Sequence, residues 1–152
     1  MQVRRGAATP FGHNRLSREW AELYARIALA TPFLSGVADR FGLWGAKGSW
    51  HNFSDFERYA AQVNSFLPWS MIPFIAWTAT AAEFVLGVGL LFGLRTRLMA
   101  LGSAVLLALF GTAMAISFGI KSPLDYSVFS ASAAALLLWK YSRPREIPID
   151  GA

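Results

Sequence analysis

Glu83 and Arg26 are the residues from which chemistry could be built. Each interrupts a run that is otherwise almost entirely apolar: Glu83 in TATAAEFVLGVGLLFGLRTR (78–97) and Arg26 in a segment from about Trp20 to Phe41. A charge without a partner in such surroundings is expensive, and an ionisable residue inside a membrane segment marks a functional site or a buried pair. At helical spacing Thr80, Ala76, Ala79 and Gly87 share a face with Glu83. That small-residue face suits close contact with another helix. Estimated depths place Arg26 and Glu83 within a few ångströms of each other at about 1.5 Å per residue. The sequence therefore predicts an Arg26–Glu83 pair, with Thr80 beside it, bordering a small polar pocket between the first and second long helices. Two readings of Glu83 stand: a proton or ligand site, or a structural partner for Arg26.

The elements that must position these residues are helices in lipid. Hydrophobic residues make up 55% of the 152 and charged residues 15%, against about 25% charged in a soluble domain. Spans of about 20 apolar residues fall at 20–41, 72–94 and 98–120, with a shorter one at 123–139. The expected architecture is an all-α membrane protein, an antiparallel four-helix transmembrane bundle. Ser17 reads as the N-cap of the first helix, and Pro73 fits the first turn of the second. Thr31-Pro32 predicts a kink. The N-terminal apolar run reads as a retained helix, since Arg26 interrupts what would be a signal core.

Gly93 can end the second helix, with Thr96 capping the third after a tight GLRTR turn. Ser122, Pro123 and Asp125 match an N-cap, a first-turn proline and a capping acid. The long outer link carries SDFERYAAQVNSF (54–66), where Ser54 and Glu57 form a capping box. There Phe56, Tyr59, Ala60, Val63 and Phe66 make one apolar face. This predicts a short amphipathic helix in the interface, with Trp44, Trp50 and Trp69 at headgroup depth. Ser127, Ala131 and Ala135 form a small-residue stripe suited to close packing or an oligomer contact. Asp39 and Arg40 read as a solvated helix end, and His51 as a surface histidine.

Lys and Arg fall nine on one side (Arg4, Arg5, Arg15, Arg18, Arg95, Arg97, Lys140, Arg143, Arg145) and four on the other (Arg40, Lys47, Arg58, Lys121). That asymmetry predicts both termini in the cytoplasm. Residues 1–15 and 142–152 read as flexible cytoplasmic tails flanking a domain at 16–141. The net charge of +5 sits beside apolar runs, so it points to lipid and not to nucleic acid. With no Cys and two His, thiolate chemistry is excluded within this chain and a His-rich metal or haem site is not expected.

RIALATPFLSGVADRFG, AAEFVLGVGLLFGLRTRLMALGSAVLLALF and GIKSPLDYSVFSASAAALLLW together resemble the DoxX family of small four-helix bacterial membrane proteins. The distinctive string is Glu83, Gly87, Leu90, Leu91, Gly93, Leu94, Thr96 and Arg97, with Arg26 in the first helix. The resemblance implies a multi-pass protein of the bacterial cytoplasmic (inner) membrane. It also implies a subunit of a membrane oxidoreductase complex, quinone-linked or concerned with sulfur or redox stress. Such a subunit has no redox centre of its own and is not catalytic alone. The expected partners are the bilayer, other membrane subunits or further copies of the chain. The pocket would take a quinone headgroup or water, since either can accept from an arginine. Two other classes stay open: a small-solute transporter or channel acting as an oligomer, and a non-catalytic assembly subunit.

Overall fold

The computed structural model describes residues 11–50 and 52–142, with side chains from residue 17 onward. His51, residues 1–10 and the tail from 143 lie outside the described residues, so the calls made there stay as sequence expectations. Among the described residues the chain is all helical: α1 (Phe11–Arg40), α2 (Phe53–Val63), α3 (Ile72–Phe92), α4 (Thr96–Phe118), α5 (Lys121–Asp125) and α6 (Val128–Tyr141). Short 3-10 turns precede α2 and α3 at Gly45–Lys47 and Trp69–Met71.

α1 packs along α3, and α4 along α6; α3 and α4 also touch, and α2 lies across α3 and α4. The central contact joins Leu29 and Ala30 of α1, Leu90 of α3, Ala100 and Ala104 of α4, and Ala135 and Leu138 of α6. Alanines dominate because small side chains let helix backbones approach where lipid removes the drive to bury large ones. Ser132 adds a cross-helix bond, its hydroxyl donating to the Ala104 carbonyl at 2.7 Å. A second cluster, Phe56, Ala60, Ile72 and Ala76, fastens α2 to the start of α3.

Two helices, Trp69–Phe92 with its preceding turn and Thr96–Phe118, are long and apolar enough to cross a membrane. Only 39% and 28% of their most apolar windows is buried, so neither is the enclosed core helix of a water-soluble domain. Phe74, Trp77, Phe84, Val85, Phe92, Leu98, Val105, Leu109 and Ile116 all face outward. Large apolar side chains exposed in this number along two helices are what lipid-facing helices carry.

Several local expectations need correction. α1 begins at Phe11, nine residues before Trp20 and inside the segment read as a flexible tail; Ser17 is therefore within the helix and not its cap. Pro32 sits in the interior of α1 without ending it, and the Thr31 hydroxyl donates to the Ile27 carbonyl at 2.6 Å. The cap of α2 is Asn52, whose side chain accepts from the Asp55 N–H at 3.0 Å. Ser54 and Glu57 lie two residues past the N-cap and third helical positions and so do not form the box. The fourth apolar segment is broken into α5 and α6, with Ser127 at φ 54° between them. Ser122 and Asp125 consequently lie within α5, where Asp125 pairs with Lys121. Of the small-residue stripe, Ala135 is fully buried and Ala131 packs against the same core, whereas Ser127 forms the break.

The turn between α3 and α4 ends α3 at Gly93 as expected, but Thr96 is not the cap: it is the first residue of α4, whose N-cap is Arg95 at φ 42° with no side-chain capping bond. Gly93 is left-handed at φ 69°, with Gly93 N–H on the Leu90 carbonyl and Leu94 N–H on the Gly89 carbonyl, the paired bonds of a Schellman stop. Arg26 completes that stop from α1. Its Nε donates to the Leu90 carbonyl at 2.9 Å and its Nη2 to the Leu91 carbonyl at 3.1 Å. A cation on helix-terminal carbonyls is favourable for both hydrogen bonding and the helix dipole. A β-carbon at Gly93 would collide with the Arg26 guanidinium. Gly93→Ala is therefore expected to lower stability by about 1–3 kcal/mol through positive-φ strain and collision. Thermal unfolding in detergent should show a clearly smaller loss when the same change is made in Arg26→Ala protein.

Candidate functional site

Glu83 lies in the middle of α3 and is 4% exposed. The partner that reaches it is Arg40, the last residue of α1, and not Arg26. Arg40 Nη2 donates to Glu83 Oε1 at 2.8 Å, and Arg40 Nη1 donates to Thr80 Oγ1 at 2.8 Å. Thr80 in turn donates to the Ala76 carbonyl at 2.7 Å, so its one proton is spent on the helix and its lone pairs face the arginine. Arg40 is 7% exposed, and the Phe56 ring of α2 covers its guanidinium at 3.7 Å from the ring centroid. That stacking is a cation–π contact in a desolvated setting. Three helices thus close on one cation: α1 carries it, α3 neutralises it and α2 roofs it.

The sequence expectation of an Arg26–Glu83 pair fails through helix register. α1 passes α3 in a different register from the one the depths assumed, and Arg26 meets α3 seven to eight residues beyond Glu83, about 11 Å along the helix at about 1.5 Å per residue. It is level with Leu90 and Leu91. The residue of α1 that passes Glu83 is Gly36, where an added β-carbon would lie 3.5 Å from Glu83 Oε2. Arg40 is one turn beyond Gly36, and helical side chains lean back toward the N-terminus. Its guanidinium therefore returns to the level of the carboxylate. The local pattern Asp39-Arg40 concealed this, because a charged pair closing a helix looks solvated.

Asp39 has its own task. Its Oδ2 accepts the Ser49 N–H at 2.9 Å, and a β-carbon at Gly48 would overlap its Oδ1. The 42–49 loop is thereby folded against the end of α1, where the Trp44 indole N–H also donates to the Ser35 carbonyl at 3.2 Å. This loop and α2 shield the Arg40 end of the pair from the side of the link. Ser117 of α4 anchors the far end of α2, its hydroxyl donating to the Val63 carbonyl at 2.6 Å.

The cavity beside the pair is larger and less polar than expected, and it lies elsewhere. It is a groove of about 600 Å³ between α3 and α4, roofed by α2. Its walls are mainly apolar, among them Tyr59, Phe74, Ala79, Leu109 and Met114, and Arg40 is its one charged lining residue. Arg26, Glu83 and Thr80 are not among the lining residues. Burial pushes the Tyr59 phenol above its ordinary range, with nearby Tyr126 adding to this, so Tyr59 presents a neutral hydroxyl. Arg40 Nε is buried and has no acceptor among the described residues. An unsatisfied buried N–H costs about 1–3 kcal/mol, which an acceptor placed there would recover. Among the described residues no group of three His, Asp or Glu side chains converges as metal ligands would.

Exposed apolar helices around an enclosed ion pair define a helical membrane protein with an internal polar anchor. The comparison with family models sharpens this: the DoxX model matches residues 21–116, and the chain belongs to the DoxX family. No curated protein and no solved structure matches it. The matched stretch contains Arg26, Arg40, Thr80 and Glu83 but stops before α5 and α6.

Replacing one partner of the buried pair should be costly, about 3–5 kcal/mol, because the other charge is left uncompensated. Unfolding of Arg40→Gln, Glu83→Gln and the double variant in detergent is expected to show a double loss well below the sum of the singles. Arg26→Gln combined with Glu83→Gln is expected to be additive, which separates the observed pair from the one predicted by depth.

Proposed function

We infer that this DoxX protein is a four-span subunit of the bacterial cytoplasmic membrane, an antiparallel bundle of α1, α3, α4 and the α5–α6 segment with both termini in the cytoplasm. It presents a quinone site within a membrane oxidoreductase complex whose redox centres belong to partner subunits. The observation that carries this reading is a groove of about 600 Å³ between lipid-facing helices, apolar-walled with Arg40 as its one charged lining residue. A quinone is an apolar body bearing carbonyl acceptors, and such a groove suits it. In the inferred orientation the groove opens toward the outer leaflet, beneath α2 and the tryptophans of the first link. The basic flanks of α3–α4 and of α6 then meet the cytoplasmic surface.

The role is binding and placement. Glu83 and Thr80 fix the guanidinium, Phe56 covers it, and the groove walls exclude water from the bound ring. Electron transfer falls to a partner, which accords with a chain that has no Cys.

The test is purification of the tagged protein in mild detergent, with proteins and lipids both identified. Retained quinone and a cofactor-bearing partner are the expected result, with quinone lost in Arg40→Gln while the partner is kept. A partner that copurifies and stays fully active without this chain, but assembles poorly, would replace the reading with an assembly role. Solute uptake into liposomes by the protein alone would replace it with transport. Orientation is checked separately by single-cysteine labelling, clean in a chain with no Cys. A cysteine at residue 50 is expected to react from outside and one at residue 145 only after the membrane is opened.

A further inference from the structure

Close packing of α3 on α4 is concentrated at the end next to the Gly93 turn. There Met99 fills the space that a side chain at Gly89 would take, and Leu86 the space at Gly102. The core joining Leu90 of α3 to Ala104 of α4 and Leu138 of α6 belongs to the same end. From about Ala82 and Leu106 onward the groove lies between the two helices. Each flanking pair, in contrast, is fastened within itself. α1 holds α3 at two levels, through Arg26 and Arg40. α4 holds α6 through the Ser132–Ala104 bond and through Phe129, whose ring packs where a β-carbon at Gly111 would be.

α2 is attached to these two pairs unequally. Toward α1 and α3 it packs Phe56 and Ala60 on Ile72 and Ala76, stacks Phe53 on Trp77 at 4.1 Å, and covers Arg40 with Phe56. Toward α4 its hydrogen bonds among the described residues converge on Ser117. The Ser117 hydroxyl donates to the Val63 carbonyl at 2.6 Å, and the Ser65 hydroxyl lies 3.0 Å from it. A serine hydroxyl has one proton; Ser117 spends it on Val63, so Ser65 is the donor to Ser117. The Tyr59 and Phe118 rings add a loose contact at 6.4 Å. Val63 closes α2, and a carbonyl in the last turn has no partner in its own helix. At the membrane interface water can take the place of Ser117 there.

We propose that the groove has a lateral door at the seam between α2 and α4, with Ser117 as its latch. α2 moves with α1 and α3 as one body, and α4 moves with α6 as the other. The two bodies pivot about the close contacts beside the Gly93 turn, a hinge motion of packed helices. Opening parts α4 from α2 and lets an apolar molecule dissolved in the bilayer slide into the groove sideways, without crossing water. The door is a property of the empty protein, so it goes beyond the quinone reading and does not depend on it.

The test uses full-length protein in nanodiscs with no added ligand. The chain has no Cys, so spin labels go only where cysteines are introduced. Gln62, Ser130 and Ala28 are exposed on α2, α6 and α1. Gln62→Cys with Ser130→Cys spans the seam; Gln62→Cys with Ala28→Cys stays within the first body. Distances are read by double electron–electron resonance. Across the seam, Ser117→Ala is expected to raise the ratio of long to short distances about fivefold, the effect of losing one neutral hydrogen bond. Ser117→Thr, which keeps the hydroxyl, should return the wild-type ratio, and the pair within the first body should stay narrow throughout. A seam distribution that Ser117→Ala leaves unchanged overturns the proposal, as does broadening of both pairs together, which would mean that α2 merely frays. If Ser117→Ala does not fold, Ser65→Ala decides by the same criterion. A seam that opens in a protein retaining no quinone on purification would remove the quinone reading and leave the door; retained quinone beside an immobile seam would do the reverse.

Discussion

The arrangement depends on one buried cation. Arg40 is the only described residue bonded to side chains of α3 while carried by α1 and covered by α2. A guanidinium enclosed among apolar helices is tolerated only with a carboxylate and further acceptors to meet it. Glu83 and Thr80 are those groups. Once they are required, α1 must pass α3 at the level of Gly36, and α2 must fold back over the helix end. The 42–49 loop must also be tied down, as Asp39 does through the Ser49 N–H. The groove is the space left when α2 bridges α3 and α4 without filling the gap between them.

Much of this was legible in the chain, unevenly. α3 and α4 could be bounded within two residues because their apolar runs end abruptly, at Gly93 and at Gly119. Gly93 announced its own role, as a glycine following a long apolar helix and preceding a basic turn. The isolation of Glu83 in its run announced a buried partner. What could not be read was α1. Residues 11–19 are mostly polar, so apolar content gives no sign of the helix there, and the register of α1 along α3 was misjudged. That single error exchanged Arg26 for Arg40. The signal that could have corrected it is Gly36, the small residue of α1 that lets Glu83 come close, one turn before an arginine.

Other misses have the same local character. Asn52 outcompeted Ser54 as the cap of α2 because the helix begins one residue before Ser54. The segment after α4 contains nothing that forbids a continuous helix at Ser127, so the break there, at φ 54°, was not legible. The family itself was recognisable from the Glu83–Arg97 string, and the match over residues 21–116 bears that out. The string holds the carboxylate and the turn, but the cation that completes the site lies outside it in Arg40.

The two arginines of α1 grip α3 at separate places, Arg40 at Thr80 and Glu83, Arg26 at the carbonyls of Leu90 and Leu91. Fourteen residues separate them, four full turns less about 40° at 100° per residue. Both must face the same neighbour for both grips to hold. Inserting or deleting one residue anywhere between them would swing one arginine about 100° round the helix and slide it along the axis, and no side-chain adjustment restores both contacts. The segment 26–40 is therefore a ruler. Its composition can drift over the lipid-facing positions, but its length cannot, and any change in it would have to be matched by a change of phase along α3 between Glu83 and Gly93.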